Sequence, residues 1–335
     1  MRTRLISLML AAVMAILAAP PAYAELAKPR IGKQMGLAYL PLIIAQHEKL
    51  IEKQAGLLGV DGLEVEWQQL GSAAVLNDAI LSNSSDYVAG ASTVANVLWD
   101  KTLGNLDVRG VVALGNFDFY LNTNDPDIRT IRDFTDKDRI AVSAVKLSIH
   151  AILLQMASAQ AFGADQWERL DRLTVSLPHP EGLAALVSRQ SGITAHLTGP
   201  PFQNLELRDK SIHRVLAASE VLGNGGATTM LWTSSKVRNE NPRITRAIIA
   251  AVKEAVNLIN TDRRRAAEIY LEMEKPALSI DDLVSIIGDP VSKYTAQPYN
   301  TLKVAEFMHR TGTLKHLPQS WRDLFFPEGA EGDGS

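Results

Sequence analysis

The chain has 335 residues, 34 Lys+Arg against 37 Asp+Glu, 46% hydrophobic residues and no cysteine. The absence of cysteine excludes disulfides, thiolate metal ligands and the lipidated cysteine of a bacterial lipoprotein, so core burial alone must hold the fold. A formal charge of −3 argues against a nucleic-acid partner.

At the start of the chain, Arg2 and Arg4 precede an apolar run over residues 5–19, and Ala22-Tyr23-Ala24 then offers a small-x-small site before Glu25. That order is a secretory signal peptide. A membrane-spanning helix takes about 20 apolar residues, and this run is shorter and ends at Pro20-Pro21. The expectation is a mature periplasmic chain of 311 residues with charge −5 and no membrane anchor.

Residues 29–35 read as a first strand, followed by a helix with Pro41 in its first turn, where proline is best tolerated. Leu63, Val65 and Trp67 alternate with Glu64, Glu66 and Gln68, the period of a half-exposed strand. Short strands are expected at 87–89, 108–114, 139–142, 173–175, 194–197 and 215–217, separated by helical patterns such as 73–81 and 149–162, the latter ended by Gly163. This alternation predicts an α/β fold with mostly parallel sheets and helices on both faces. Beyond about residue 240 only helices are expected: one opened by Asn241-Pro242, one by the capping box Ser279-Ile280-Asp281-Asp282, and one over 301–310. These make a helical cover, and residues 328–335 read as a frayed tail.

Two extended stretches break the rhythm, 119–122 after Gly115-Asn116 and 228–233 after Gly223-Asn224-Gly225-Gly226. Glycine-rich entries suit hinge crossings. The division predicted is one lobe over 29–118 and 229–327, a second over 119–228, and a cleft between them.

In such sheets ligands lie beyond the carboxyl ends of the strands, where helix N-termini face the cleft. From the first lobe this selects Gln34, Gly36 and Tyr39, the pair Gly71 and Ser72, and the hydroxyls of Ser92 and Thr93. From the second it selects Ser143, Lys146 and Ser148, and His196 and Thr198. Asn116 and Trp232 join them at the crossings, Tyr39 and Trp232 as walls against an organic group. Phe119 and Phe202 are assigned to ordinary core packing. Lys146, beside a helix start, favours an anionic ligand. Among the seven histidines no H-x-x-x-H pair occurs, and there is no G-x-S-x-G elbow or dinucleotide loop, so no metal, cofactor or enzyme activity is expected. His179 and His196 fall at neighbouring strand ends, where a hydrogen-bonded loop role is the simpler reading.

The chain resembles the periplasmic substrate-binding proteins of the nitrate, sulfonate and taurine type of ABC importer. The resemblance spans the mature chain through Ile31-Gly32 leading into Pro41-Leu42-Ile43-Ile44-Ala45-Gln46, Gly62-Leu63-Glu64-Val65-Glu66-Trp67, Ser85-Asp86-Tyr87, Ile131-Arg132-Asp133-Phe134, and Glu240-Asn241-Pro242. It implies a two-lobed type II clamshell that closes on a small-molecule ligand. It also implies an ABC permease with its cytoplasmic ATPase as partners, and a monomer. The ligands of that family include nitrate, sulfonates, taurine, aromatic acids and thiamine-related pyrimidines. Gly199 stands where many members have an acidic residue, and the chain lacks the cysteine-rich motif of the branch that synthesises the pyrimidine. A sensor with the same clamshell, or a hydrolase using His179 or His196 as base, are the competing readings.

Overall fold

The strand periodicity of the sequence resolves into two five-stranded sheets in a computed structural model that describes residues 25–223 and 225–335. The signal-peptide reading falls on residues 1–24 and, like Asn224, lies outside the described residues.

The first sheet has the order β2 (Glu66–Gln69), β1 (Arg30–Lys33), β3 (Tyr87–Ala91), β10 (Ala227–Thr233), β4 (Arg109–Phe117). β1 runs parallel to β2 and β3, whereas β10 is antiparallel to both of its neighbours. β4 carries the continuous apolar run Val111-Val112-Ala113-Leu114, which suits a strand covered on both faces. The second sheet has the order β7 (Thr174–Ser176), β6 (Ile140–Val142), β8 (Ala195–Thr198), β5 (Tyr120–Thr123), β9 (His213–Ala217), with β6 parallel to β7 and β8 and β5 antiparallel to β8 and β9. Each sheet therefore combines a parallel βα half with one inserted antiparallel strand.

The helices follow from local chemistry. Ser148 caps the helix Ile149–Phe162 by accepting from the Ala151 N–H at 3.3 Å, and Gly163 ends it with φ 110°. Asp282 completes the capping box predicted at Ser279. The helix Pro242–Thr261 buries Ile244, Ala247, Ile248, Ala251, Val252, Ala255 and Ile259, one stripe of a 3.6-residue period, against the helices Leu40–His47 and Leu50–Leu57. Each Ile or Val on that stripe contributes about 1.5–3 kcal/mol of transfer free energy.

The chain passes between the sheets twice. It leaves β4 at Phe117 and enters β5 at Tyr120, then returns between Ala217 and Ala227. Because Phe117 pairs with Ala227 and Tyr120 with Ala217, the two crossings lie side by side. Gly226 packs so closely on the Phe117 backbone that no side chain fits there. Asp118, between the strands, is pinned: it accepts from the Ser219 N–H at 2.8 Å and Ser219 Oγ at 3.0 Å, while its own N–H donates to Ser292 Oγ at 3.1 Å.

Two sequence expectations need correction. Thr228 was placed in the second lobe, but the glycine turn is complete by Gly226, and Thr228 pairs with Asn116 in the first sheet. Residues 328–335, read as frayed, dock on the helical cover: Glu328 pairs with Arg238, and the Thr301 N–H donates to the Ser335 carbonyl at 2.8 Å. These backbone and ion-pair contacts lie outside what composition can signal. No described helix is long and apolar enough to cross a membrane.

Candidate functional site

Between the two sheets lies a small cavity of about 40 Å³, inside a wider envelope of about 460 Å³ that opens to solvent. It is the meeting point of loops that follow strands in both sheets. β1 leads into Gln34, Met35 and Gly36, with Ala38 and Tyr39 beyond, and β3 leads into Ala91 and Val94. From the second sheet, β6 leads into Ser143, Ser148, Ile149 and His150, β7 into His179, and β8 into Gly199, Pro200 and Phe202. Ala73, Thr229 and Phe119 complete the lining.

The two sides already touch. The Leu37 N–H donates to the Pro200 carbonyl at 2.9 Å, across the cavity mouth. Gly36, at φ 124°, allows that approach, since a Cβ there would meet the same carbonyl at 3.2 Å in a conformation L-residues rarely adopt. Further out, Arg208 of the second lobe donates to the Ala277 carbonyl at 3.0 Å and pairs with Asp282 of the helical cover. These contacts join the two lobes across the cleft.

Among the described residues, no Lys, Arg, Asp or Glu lines the cavity. Lys33, the nearest cation in the first strand, is buried and tied to Glu274 at 3.0 Å. The polar groups that remain are amide, hydroxyl and imidazole. Tyr39 donates its hydroxyl to Gln34 Oε1 at 3.0 Å, and burial raises the phenol above its ordinary pKa. Ser143 Oγ lies 3.2 Å from Nδ1 of His150, whose Nε2 is buried without a partner. Burial drives the His150 pKa down to about 3, with nearby His196 acting in the same direction. His179 sits between ring neighbours, stacked on Phe202 at 5.6 Å and edge-on to His150 at 4.7 Å between centroids. Its pKa is also held well below the ordinary value, by burial and then by His150 and His196.

Several helix starts converge on this space. Ala73 begins Ala73–Leu81, Ala91 and Val94 flank the start of Ser92–Thr102, Ser148 to His150 open Ile149–Phe162, and His179 opens His179–Ser188. The unsatisfied N–H groups of these first turns carry partial positive charge.

Of the residues selected from sequence, Gln34, Gly36, Tyr39, Ser143 and Ser148 line the cavity. Ser92 and Thr93 are fully buried beside it, with unpartnered hydroxyls. His196 and Thr198 form the layer behind His179: Thr198 Oγ1 is 2.8 Å and His196 Nε2 3.5 Å from His179 Nδ1. His196 Nδ1 in turn lies 2.6 Å from Glu206, and both side chains are completely buried.

The others lie elsewhere. Lys146, in a left-handed turn at φ 61°, is exposed on an outer groove with Asp165, Glu168 and Asp171. Trp232 is fully buried within the first sheet, its indole against Gly90, because the crossing precedes β10 and leaves this residue well inside the strand. Asn116 joins the hinge to the C-terminal cover, accepting from the Thr228 hydroxyl and from the Tyr299 N–H at 3.2 Å. Gly71 and Ser72 precede the helix at Ala73 and do not reach the cavity.

Sequence reasoning noted His179 at a strand end without selecting the loop after β7 for the site, and treated Phe119 and Phe202 as plain core. The signal for the former was available: Pro178-His179-Pro180 is a helix start directly after a strand. The aromatic placement had no local signal, since Gly199 allows Phe119 to approach only in three dimensions, where an added Cβ would meet its ring at 2.7 Å.

This architecture, two mixed α/β lobes with paired crossings and a cleft cavity, is the two-lobed fold of periplasmic binding proteins. No family model matches the chain, and no curated protein does. Among solved structures, the chain is similar to the periplasmic aliphatic sulphonate binding protein SsuA from Escherichia coli, with 17% identity, a TM-score of 0.64, and coverage of 89% of this chain and 98% of that one. It is similar to the alkanesulfonate-binding protein SsuA from Xanthomonas axonopodis pv. citri, bound to MOPS, with 18% identity, a TM-score of 0.67 and coverage of 88% and 96%. It is also similar to the periplasmic nitrate-binding protein NrtA from Synechocystis PCC 6803, with 15% identity, a TM-score of 0.69 and coverage of 89% and 84%. At these identities the likeness is one of fold.

Proposed function

We propose that the protein is the periplasmic solute-binding component of an ABC importer, which captures a small organic anion between its lobes and delivers it to a permease. The observation that carries this reading is the closed cavity itself, to which both lobes contribute helix starts and whose mouth is bridged by Leu37 and Pro200. A ligand touching both lobes stabilises the closed form by its differential affinity, and the closed form is the state a permease recognises. The names of the similar structures, binders of sulfonates and of nitrate, support an anion of that size.

The protein is a carrier on this reading, not a catalyst. Ser143 and His150 stand at 3.2 Å like a nucleophile and its base, but among the described residues no carboxylate orients the imidazole, and a pKa of about 3 makes it a poor base. The lack of any Lys, Arg, Asp or Glu among the described lining residues favours one second reading, a neutral heteroaromatic ligand against Phe202 and His179.

A thermal-shift panel on residues 25–335 tests both. A ligand at a hundred times its dissociation constant adds about 2.7 kcal/mol to the native state. A shift with sulfonates, carboxylates or nitrate supports the anion carrier, a shift with aminopyrimidines alone selects the second reading, and hydrolytic turnover of any ligand refutes both.

A further inference from the structure

The cavity wall of the second lobe carries two imidazoles whose tasks are unfinished. Nδ1 of His150 is engaged by Ser143, and Nδ1 of His179 by Thr198 and His196. Nε2 of His150 is buried without a partner among the described residues, a state that native proteins rarely leave unexplained. The rings stand 4.7 Å apart, edge to face, on residues that both line the cavity. Behind them lies a closed relay: His196 contacts Glu206 at 2.6 Å, and the other carboxyl oxygen of Glu206 accepts from Asn122 Nδ2 at 2.8 Å. The titratable groups against the two imidazoles are each other and His196, with Glu206 behind it, while the Tyr39 phenol lines the same cavity from the first lobe with its hydroxyl on Gln34.

A small anion entering this space meets no Lys or Arg among the described residues of the lining. Burying an unpaired charge is expensive, and helix starts offset only part of that cost. Resting on the anion-carrier reading, we propose that capture is coupled to proton uptake: a sulfonate or carboxylate enters with one solvent proton, which lodges on the His150–His179 pair and gives the closed site its counter-charge. The ring that takes the proton becomes a cationic N–H donor beside the ligand oxygens. In the empty cavity burial keeps both imidazoles neutral, and the field of a bound anion reverses that preference. No bond is made or broken apart from this protonation, and release of the ligand returns the proton to solvent.

By linkage, one proton taken up means that affinity rises roughly tenfold for each unit of pH lowered, as long as the pH lies between the pair's pKa values with and without ligand. The test is isothermal titration of the chain from Glu25 to Ser335 with ethanesulfonate, benzoate and a neutral aminopyrimidine, near neutral pH, in two buffers of different ionisation enthalpy. An anion whose binding heat differs between buffers by the equivalent of one proton supports the coupling, as does an affinity that strengthens with acidity in the native chain but not in His179→Gln. An anion that binds with equal heats in both buffers overturns the coupling and leaves the carrier reading intact. Binding of the aminopyrimidine alone overturns the coupling and selects the neutral-ligand reading, whereas binding of none of the three overturns the anion carrier together with the coupling.

Discussion

A residue's chemistry here is set by what lies behind it. Gly182 shows this on the helix His179–Ser188: a Cβ at this position would meet the His196 ring at 2.6 Å, so glycine is what lets the helix seat His179 against the His196–Glu206 pair. Buried His150 carries a pH consequence. Its folded pKa of about 3 lies below the ordinary value of 6.5, so the unfolded chain binds more protons and stability must fall as pH drops through that window. The slope is up to about 1.4 kcal/mol per pH unit from this group. Urea midpoints of the ligand-free protein between about pH 7 and pH 4.5 are expected to fall more steeply for the native chain than for His150→Asn, and parallel slopes would refute the assignment. Lys146, chosen from sequence for its place beside a helix start, belongs to the outer groove. Lys146→Ala is accordingly expected to leave anion affinity within about twofold, as surface changes do, when both proteins are titrated with the ligand from the panel.

Elements were legible where their signals are local. The helices Ala73–Leu81, Ile149–Phe162 and Thr301–Arg310 have the bounds that apolar period and capping residues predict, because a helix closes its hydrogen bonds within a few residues. The Ser279 box is another case, with Ser279 Oγ accepting from the Asp282 N–H at 3.1 Å and Asp282 accepting from the Ser279 N–H at 3.0 Å. Ser279→Ala is expected to lower stability by about 1 kcal/mol with no change in ligand affinity, as read from denaturant midpoints beside a titration. Strands were placed within a few residues, and β2 was the least regular: Leu63 and Val65 are buried, yet the ladder with β1 begins only at Glu66. Alternation marks the buried face of such a segment, while pairing depends on a partner more than thirty residues away.

Across the whole molecule, contacts at several places hold the lobes together. Leu37 to Pro200 and Arg208 to Ala277 and Asp282 tie the second lobe to the first and its cover, away from the hinge strands. Arg208→Ala removes both contacts that Arg208 makes without touching the cavity lining. The expected outcome is a larger radius of gyration in solution scattering of the ligand-free protein and a several-fold weaker affinity for every ligand alike, because a smaller closed population lowers apparent affinity in proportion. An effect on one ligand only would place Arg208 in recognition instead.

Sequence by itself determined the alternation of strands and helices, since periodicity, caps and turn chemistry are properties of short segments. The inner wall was decided only by tertiary structure. Which of Ser143, Lys146 and Ser148 turns inward depends on the left-handed turn at Lys146, and the stack of Phe119, His150, His179 and Phe202 joins residues from four separate segments. Whether the indole of Trp232 reaches a ligand or fills a core depended on where the chain changes sheets. Contacts between distant segments are set by how sheets and helices pack together, and no local pattern of residues encodes that geometry.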